Sequence, residues 1–100
     1  MKTPTKPTKA RISRVWIEHR KEDSETGIIA KAAIVSGGNV RQTLCSGGSW
    51  LMAGVSHSDL ERCVKEAFEL SRLRSELVGF GFGQRAIDYA MKNVERKEIS

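Results

Sequence analysis

From Ser56 to Arg96 the apolar residues fall at helical spacing, and this stretch limits the fold more than any other. It predicts two amphipathic helices joined by Gly79-Phe80-Gly81-Phe82-Gly83. Leu60, Cys63, Val64, Ala67, Phe68, Leu70 and Leu77 recur three and four residues apart and define one broad apolar face, with Cys63 in the core. Glu61, Lys65, Glu69 and Arg72 fall on the other side. Ser58-Asp59-Leu60-Glu61 fits a capping box, and Ser56 with Val55 stapled onto Leu60 is the alternative start. Gly79 is a candidate end for the first helix, and Gly81 or Gly83 a candidate start for the second. Ile87, Ala90, Met91 and Val94 continue as a helical stripe, and Phe80 and Phe82 anchor the connector.

Two helices with one apolar face each need a sheet to cover, and the upstream half supplies its signals. Arg11 to His19 is rich in β-branched and aromatic residues. Alternation points Val15 and Ile17 one way, Ile12 and Trp16 the other. Arg20 to Gly27 reads as a charged turn. Ile28 to Ser36 is a second strand whose even face, Ile28, Ala30, Ala32 and Ile34, is the core candidate; its alanines leave room for a close helix. Gly37-Gly38-Asn39 is a hairpin turn, and Val40 to Cys45 a third strand ended by Gly47-Gly48. Ser49 to Gly54 is either a short fourth strand or a loop that plugs the core with Trp50 and Leu51. The expected fold is α+β: a small antiparallel meander of three or four strands, then two C-terminal helices packed on one face. With 100 residues and 39% hydrophobic content, residues 11–100 make one domain behind an arm at 1–10.

The charge is unevenly placed. Of 17 Lys and Arg, five (Lys2, Lys6, Lys9, Arg11 and Arg14) lie in residues 1–17, which hold no acid. The other 83 residues balance at 12 bases and 12 acids, so the net +5 sits at the front. The Thr-Pro-Thr-Lys-Pro-Thr-Lys run has almost nothing to bury and reads as an extended basic arm. It lacks the apolar segment of a signal peptide, and no apolar run is long enough to cross a bilayer.

Little in the chain points to chemistry. His19, Cys45, His57 and Cys63 are spaced 26, 12 and 6 residues apart, with no close pair of the zinc-binding type. Two cysteines make no disulfide framework and point to a reducing, cytoplasmic setting. Ser56-His57-Ser58 places hydroxyls beside an imidazole, but capping explains them and no nucleophile elbow surrounds them. The glycine-rich connector has neither a preceding strand nor a following Gly-Lys-Ser/Thr, so it does not make a nucleotide loop. Neither a cofactor nor a metal is expected, and no enzymatic role.

Glycines leading into a final helix after a meander are similar to double-stranded-RNA-binding domains. Here, however, a helix precedes them, and Arg85 is the one base at the helix start. A three-stranded sheet followed by a helix also resembles small DNA-binding domains that lay a sheet in a groove. Both are likenesses of layout, and neither assigns a family. The expected function is nucleic-acid binding. Lys2, Lys6, Lys9, Arg11 and Arg14 would hold phosphates, with Arg41 and Lys31 on the sheet or Arg72, Arg74 and Arg85 near the connector as further contacts. The alternative is an adaptor or inhibitor docked on a larger protein, such as a nucleic-acid-processing host enzyme, through Trp16, Trp50 and Tyr89. In either case the open edges of a short meander allow a homodimer.

Overall fold

The structure is a computed structural model that describes residues 10–22, 25–37, 40–52 and 58–99. Lys2, Lys6 and Lys9 of the arm, the turn tip at Gly38 and Asn39, and the alternative helix start at Val55 and Ser56 lie outside the described residues, as does His57. The fold is α+β. Four strands, β1 (Arg11–Glu22), β2 (Glu25–Ser36), β3 (Val40–Cys45) and β4 (Ser49–Met52), precede two helices, α1 (Asp59–Phe80) and α2 (Gln84–Ala90). A fifth strand, β5 (Val94–Ile99), follows them. The sheet order is β3-β2-β1-β5, with β4 also on β2. Both helices pack on one face.

β1 and β2 form a longer hairpin than the sequence suggests. Arg20 to Glu22 and Glu25 to Gly27 are laddered strand, because pairing satisfies their backbone groups. Near its start β1 gains a residue. Arg11 and Ile12 pair with Val35 and Ile34, but Arg14 pairs with Ala33, so Ser13 is a bulge. That one-residue slip turns Ile12 onto the helix-covered side, where it packs on the core, while Trp16 stays on the opposite side.

β3 and β4 run end to end along the same edge of β2. Lys31 opposite Cys45 closes one ladder and Ile28 opposite Ser49 opens the next. Three residues, Ser46 to Gly48, therefore face two, Ile29 and Ala30, in a second bulge. Gly48 takes a φ of 96° there, which favours glycine. Leu51 of β4 is buried, but Trp50 is 49% exposed and does not plug the core.

The core joins Val15 and Ile17 of β1, Ile28, Ala30, Ala32 and Ile34 of β2, Leu51, Leu73 and Leu77 of α1, and Ile87 of α2. The alanines are fully buried under the helical layer, as the even face of β2 predicts. α1 begins at the Ser58–Glu61 capping box. It ends two residues beyond Gly79, at Gly81 (φ 122°), in a Schellman arrangement: Gly81 N–H donates to Val78 O and Phe82 N–H to Leu77 O. Gly83 caps α2, and the rings of Phe80 and Phe82 stack 5.2 Å apart against the core.

Two helical expectations are corrected. The stripe from Ile87 does not run on to Val94. The chain turns at Met91 to Asn93, and Val94 starts β5, which lies parallel to β1 and satisfies its outer edge. The apolar face of α1 is also divided. Leu77 is buried and Leu70 half-buried, but Leu60, Val64 and Phe68 are 72%, 57% and 53% exposed, and Cys63 and Ala67 are exposed with them. Glu66 and Glu69 occupy the sheet-facing side with Leu73.

Truncating Leu73 to Ala leaves a cavity where the helix meets the sheet and costs about 3 kcal/mol. Gly81→Ala forces a Cβ into the left-handed cap and costs about 1 kcal/mol. Urea midpoints at unchanged m-value measure both, and a Gly81→Ala protein as stable as wild type contradicts the cap.

Candidate functional site

Two polar clusters on the inner side fix the helical layer. Glu69 has no exposed surface. Its carboxylate accepts from Gly48 N–H at 2.7 Å and Ser49 Oγ at 2.5 Å, and Arg72 lies 3.4 Å away. Burial by itself raises the Glu69 pKa, but the hydroxyls of Ser46 and Ser49, the Gly48 amide and Arg72 outweigh it and leave the group below the ordinary carboxylate value. The Arg72 guanidinium lies over Phe68 and fills the place a Cβ on Gly47 would take. Glu66 accepts from Arg96 of β5 through both Nε (3.1 Å) and Nη2 (2.8 Å), and it meets His19 Nε2 of β1 at 2.6 Å. Burial again raises its pKa, and Arg96 and His19 more than reverse that. These clusters are structural: they tie α1 to β1, β5 and the bulge.

The opposite, outer face of the sheet carries a different set. Register puts Trp50, Gly27 and Arg20 in one row, Ile29, Glu18 and Lys97 in the next, then Cys45, Lys31, Trp16 and Glu95. Thr43, Ala33 and Arg14 follow, then Arg41, Val35 and Arg11. Trp16 lies at the centre. Arg14 and Lys97 sit 5.6 and 4.9 Å from its ring centroid, and its indole N–H donates to Glu18 at 2.9 Å. Lys31 reaches Glu18 at 3.1 Å, and Arg14 reaches Glu95 at 2.7 Å. Glu18 is desolvated under this cover, which raises its pKa, yet Trp16, Lys31 and Arg20 bring it below the ordinary value. Six cations share this face with two acids, Glu18 and Glu95, among the described side chains.

The structure therefore divides the residues singled out by sequence. Arg11, Arg14, Arg41 and Lys31 come together on the outer face with Trp16 and Trp50. Arg72, Arg74 and Arg85 lie in the helical layer on the other side. Arg72 covers Glu69, Arg74 pairs with Asp88 across the helices, and Arg85 is exposed in the first turn of the seven-residue α2. Tyr89 is 75% exposed on α2, away from both tryptophans, with Lys92 beside its ring. Lys97 escapes a sequence reading because β5 does, and Arg20 because it looks like turn. Four consecutive charged residues, Glu95 to Glu98, leave no alternation to read there.

Two further features complete the surface. The outward stripe of α1 exposes Leu60, Val64, Phe68 and Val78. A pocket of about 410 Å³ lies between the start of α1 and the end of the sheet, lined by His19, Lys21, Leu51, Arg62 and Glu98 among others. Among the described residues, no three potential metal ligands cluster, and no helix is long and apolar enough to cross a membrane. Compared with protein families, curated proteins and solved structures, the chain finds no match.

Both inner carboxylates bind protons less readily folded than unfolded. Their stabilisation is full above the ordinary carboxylate range, about pH 4.3, and is lost as pH falls through the lowered values. Urea midpoints between pH 7 and pH 3 follow this. Glu69→Gln leaves an amide against the Gly48 N–H or the Ser49 hydroxyl, costs about 2 kcal/mol at pH 7, and flattens the acid limb of that profile. An unchanged profile in this variant removes Glu69 as the acid-sensitive tie.

Proposed function

We propose that the protein binds nucleic acid through the outer face of its sheet. The observation that carries the reading is the gathering of Arg11, Arg14, Arg20, Lys31, Arg41 and Lys97 around Trp16 on a face that no described element covers. Cations at strand spacing suit a phosphate backbone, and the exposed aromatic surface suits sugars and bases. Lys2, Lys6 and Lys9, outside the described residues, would add further phosphate contacts. Glu18 and Glu95 take part of the charge, leaving Arg11, Arg41 and Lys97 as cations with no ion pair among the described residues. The role is one of binding, with no bond made or broken.

About five phosphate contacts at the single-strand slope weaken binding roughly 100-fold between 50 and 200 mM salt. Arg11→Ala and Arg41→Ala each lower affinity and reduce the salt slope by about one, and removing residues 1–10 lowers both further. Fluorescence anisotropy over a salt series measures this. Absent or salt-insensitive binding eliminates the reading.

The outward stripe of α1 favours a second reading, a protein-binding adaptor. Leu60, Val64 and Phe68 form a helix-face anchor set, beside which Trp16, Trp50 and Tyr89 remain candidate contacts. A stoichiometric partner that survives nuclease treatment and is lost by Val64→Glu with Phe68→Glu supports it. Capture that does not depend on the stripe opposes it.

A further inference from the structure

The two tryptophans of the outer face differ in what already occupies them. Trp16 is half-buried, and both its ring and its indole N–H have partners within the sheet. Trp50 is placed opposite Gly27, and its six-membered ring lies across that glycine. A Cβ built on Gly27 would come within 2.8 Å of Trp50 Cζ3, so the ring rests where any side chain would stand. Its remaining surface is open, 49% of the residue. An indole seated on a strand's backbone is held in place before a ligand arrives, so a base that stacks on it meets little entropic cost.

Resting on the nucleic-acid reading above, we infer that this face takes a single strand, with an unpaired base stacked on Trp50. A base within a duplex has both faces covered by its neighbours and none to offer an indole, whereas a splayed base in a single strand does. From the Gly27–Trp50 row to the Val35–Arg41 row is eight residues along β2, about 26 Å at strand rise. Arg20, Lys31, Arg14 and Arg41 are distributed over that length. The strand's backbone follows these cations while Trp50 grips a base at one end, a length comparable with short single-strand sites of about four nucleotides.

The test uses the full chain with a labelled 12-residue oligothymidylate, and separately with the same sequence as a 12-base-pair duplex. The strand binds more tightly than the duplex at equal salt. Trp50→Ala weakens strand binding roughly 10- to 100-fold, leaves the salt slope unchanged and leaves the duplex unaffected. Trp50→Phe recovers much of the loss, and Gly27→Ala, which keeps the indole but pushes it off its seat, reproduces part of it. Far-UV circular dichroism identifies variants that fold, and Trp50→Leu, which keeps apolar bulk without an aromatic face, carries the test if Trp50→Ala does not fold. A duplex bound as well as the strand overturns the inference, as does a folded Trp50→Ala or Trp50→Leu variant with strand affinity within twofold of wild type, and salt-sensitive binding would survive either result. Loss of all salt-sensitive binding overturns the nucleic-acid reading itself.

Discussion

The carboxylate of Glu69 sits in the bulge between β3 and β4, and the rotation of the helical layer depends on it. A buried carboxylate costs several kcal/mol unless donors replace its water. The bulge supplies the Gly48 amide and the Ser49 hydroxyl, because the extra residue there frees backbone and side chain from the ladder. One turn earlier, Glu66 finds Arg96 and His19. At 100° per residue, Leu60 and Glu69 stand on opposite sides of α1. Rotating the helix to bury Leu60, Val64 and Phe68 would strip both carboxylates of their partners and expose Leu73 and Leu77. The observed rotation keeps two leucines in and two acids satisfied, and it leaves the stripe outside.

That choice accounts for the two-sided character of the sheet. The inner side is closed by helices and matched acid–base pairs. Among the described side chains the outer side keeps cations in excess over acids, although the body of the chain is balanced. The excess that looks like a property of the first residues is thus continued across the sheet by Arg20, Lys31, Arg41 and Lys97, which lie far apart in sequence and adjacent in register.

The sheet bulges do comparable work on single side chains. At Ser13 a slip of one residue moves Ile12 into the core and keeps Arg11 with Arg14 outside. At Gly47 the absent Cβ admits Arg72 over Glu69. At Gly27 it admits Trp50, which aims an edge-strand aromatic outward instead of into the core. Small residues at these points set which large ones can function.

Much of the architecture was legible in local pattern. Period-two alternation marks β1 and β2, a capping box starts α1, and the buried alanines of β2 announce a close helix, because each signal rests on backbone geometry within a few residues. The contacts that decide the rest are between residues distant in sequence. β5 has only Val94 and Ile99 as apolar markers, and it is strand because β1 has an edge to fill and Glu66 has room for Arg96. The buried side of α1 cannot be read from its hydrophobicity, since its most regular apolar stripe is the one left in water. The sequence by itself determined the segments and their handed, local limits. Only the tertiary structure decided which face each segment shows, because the observed rotation buries Leu73 and Leu77 and offsets the desolvation of both carboxylates with donors that only the assembled sheet brings together.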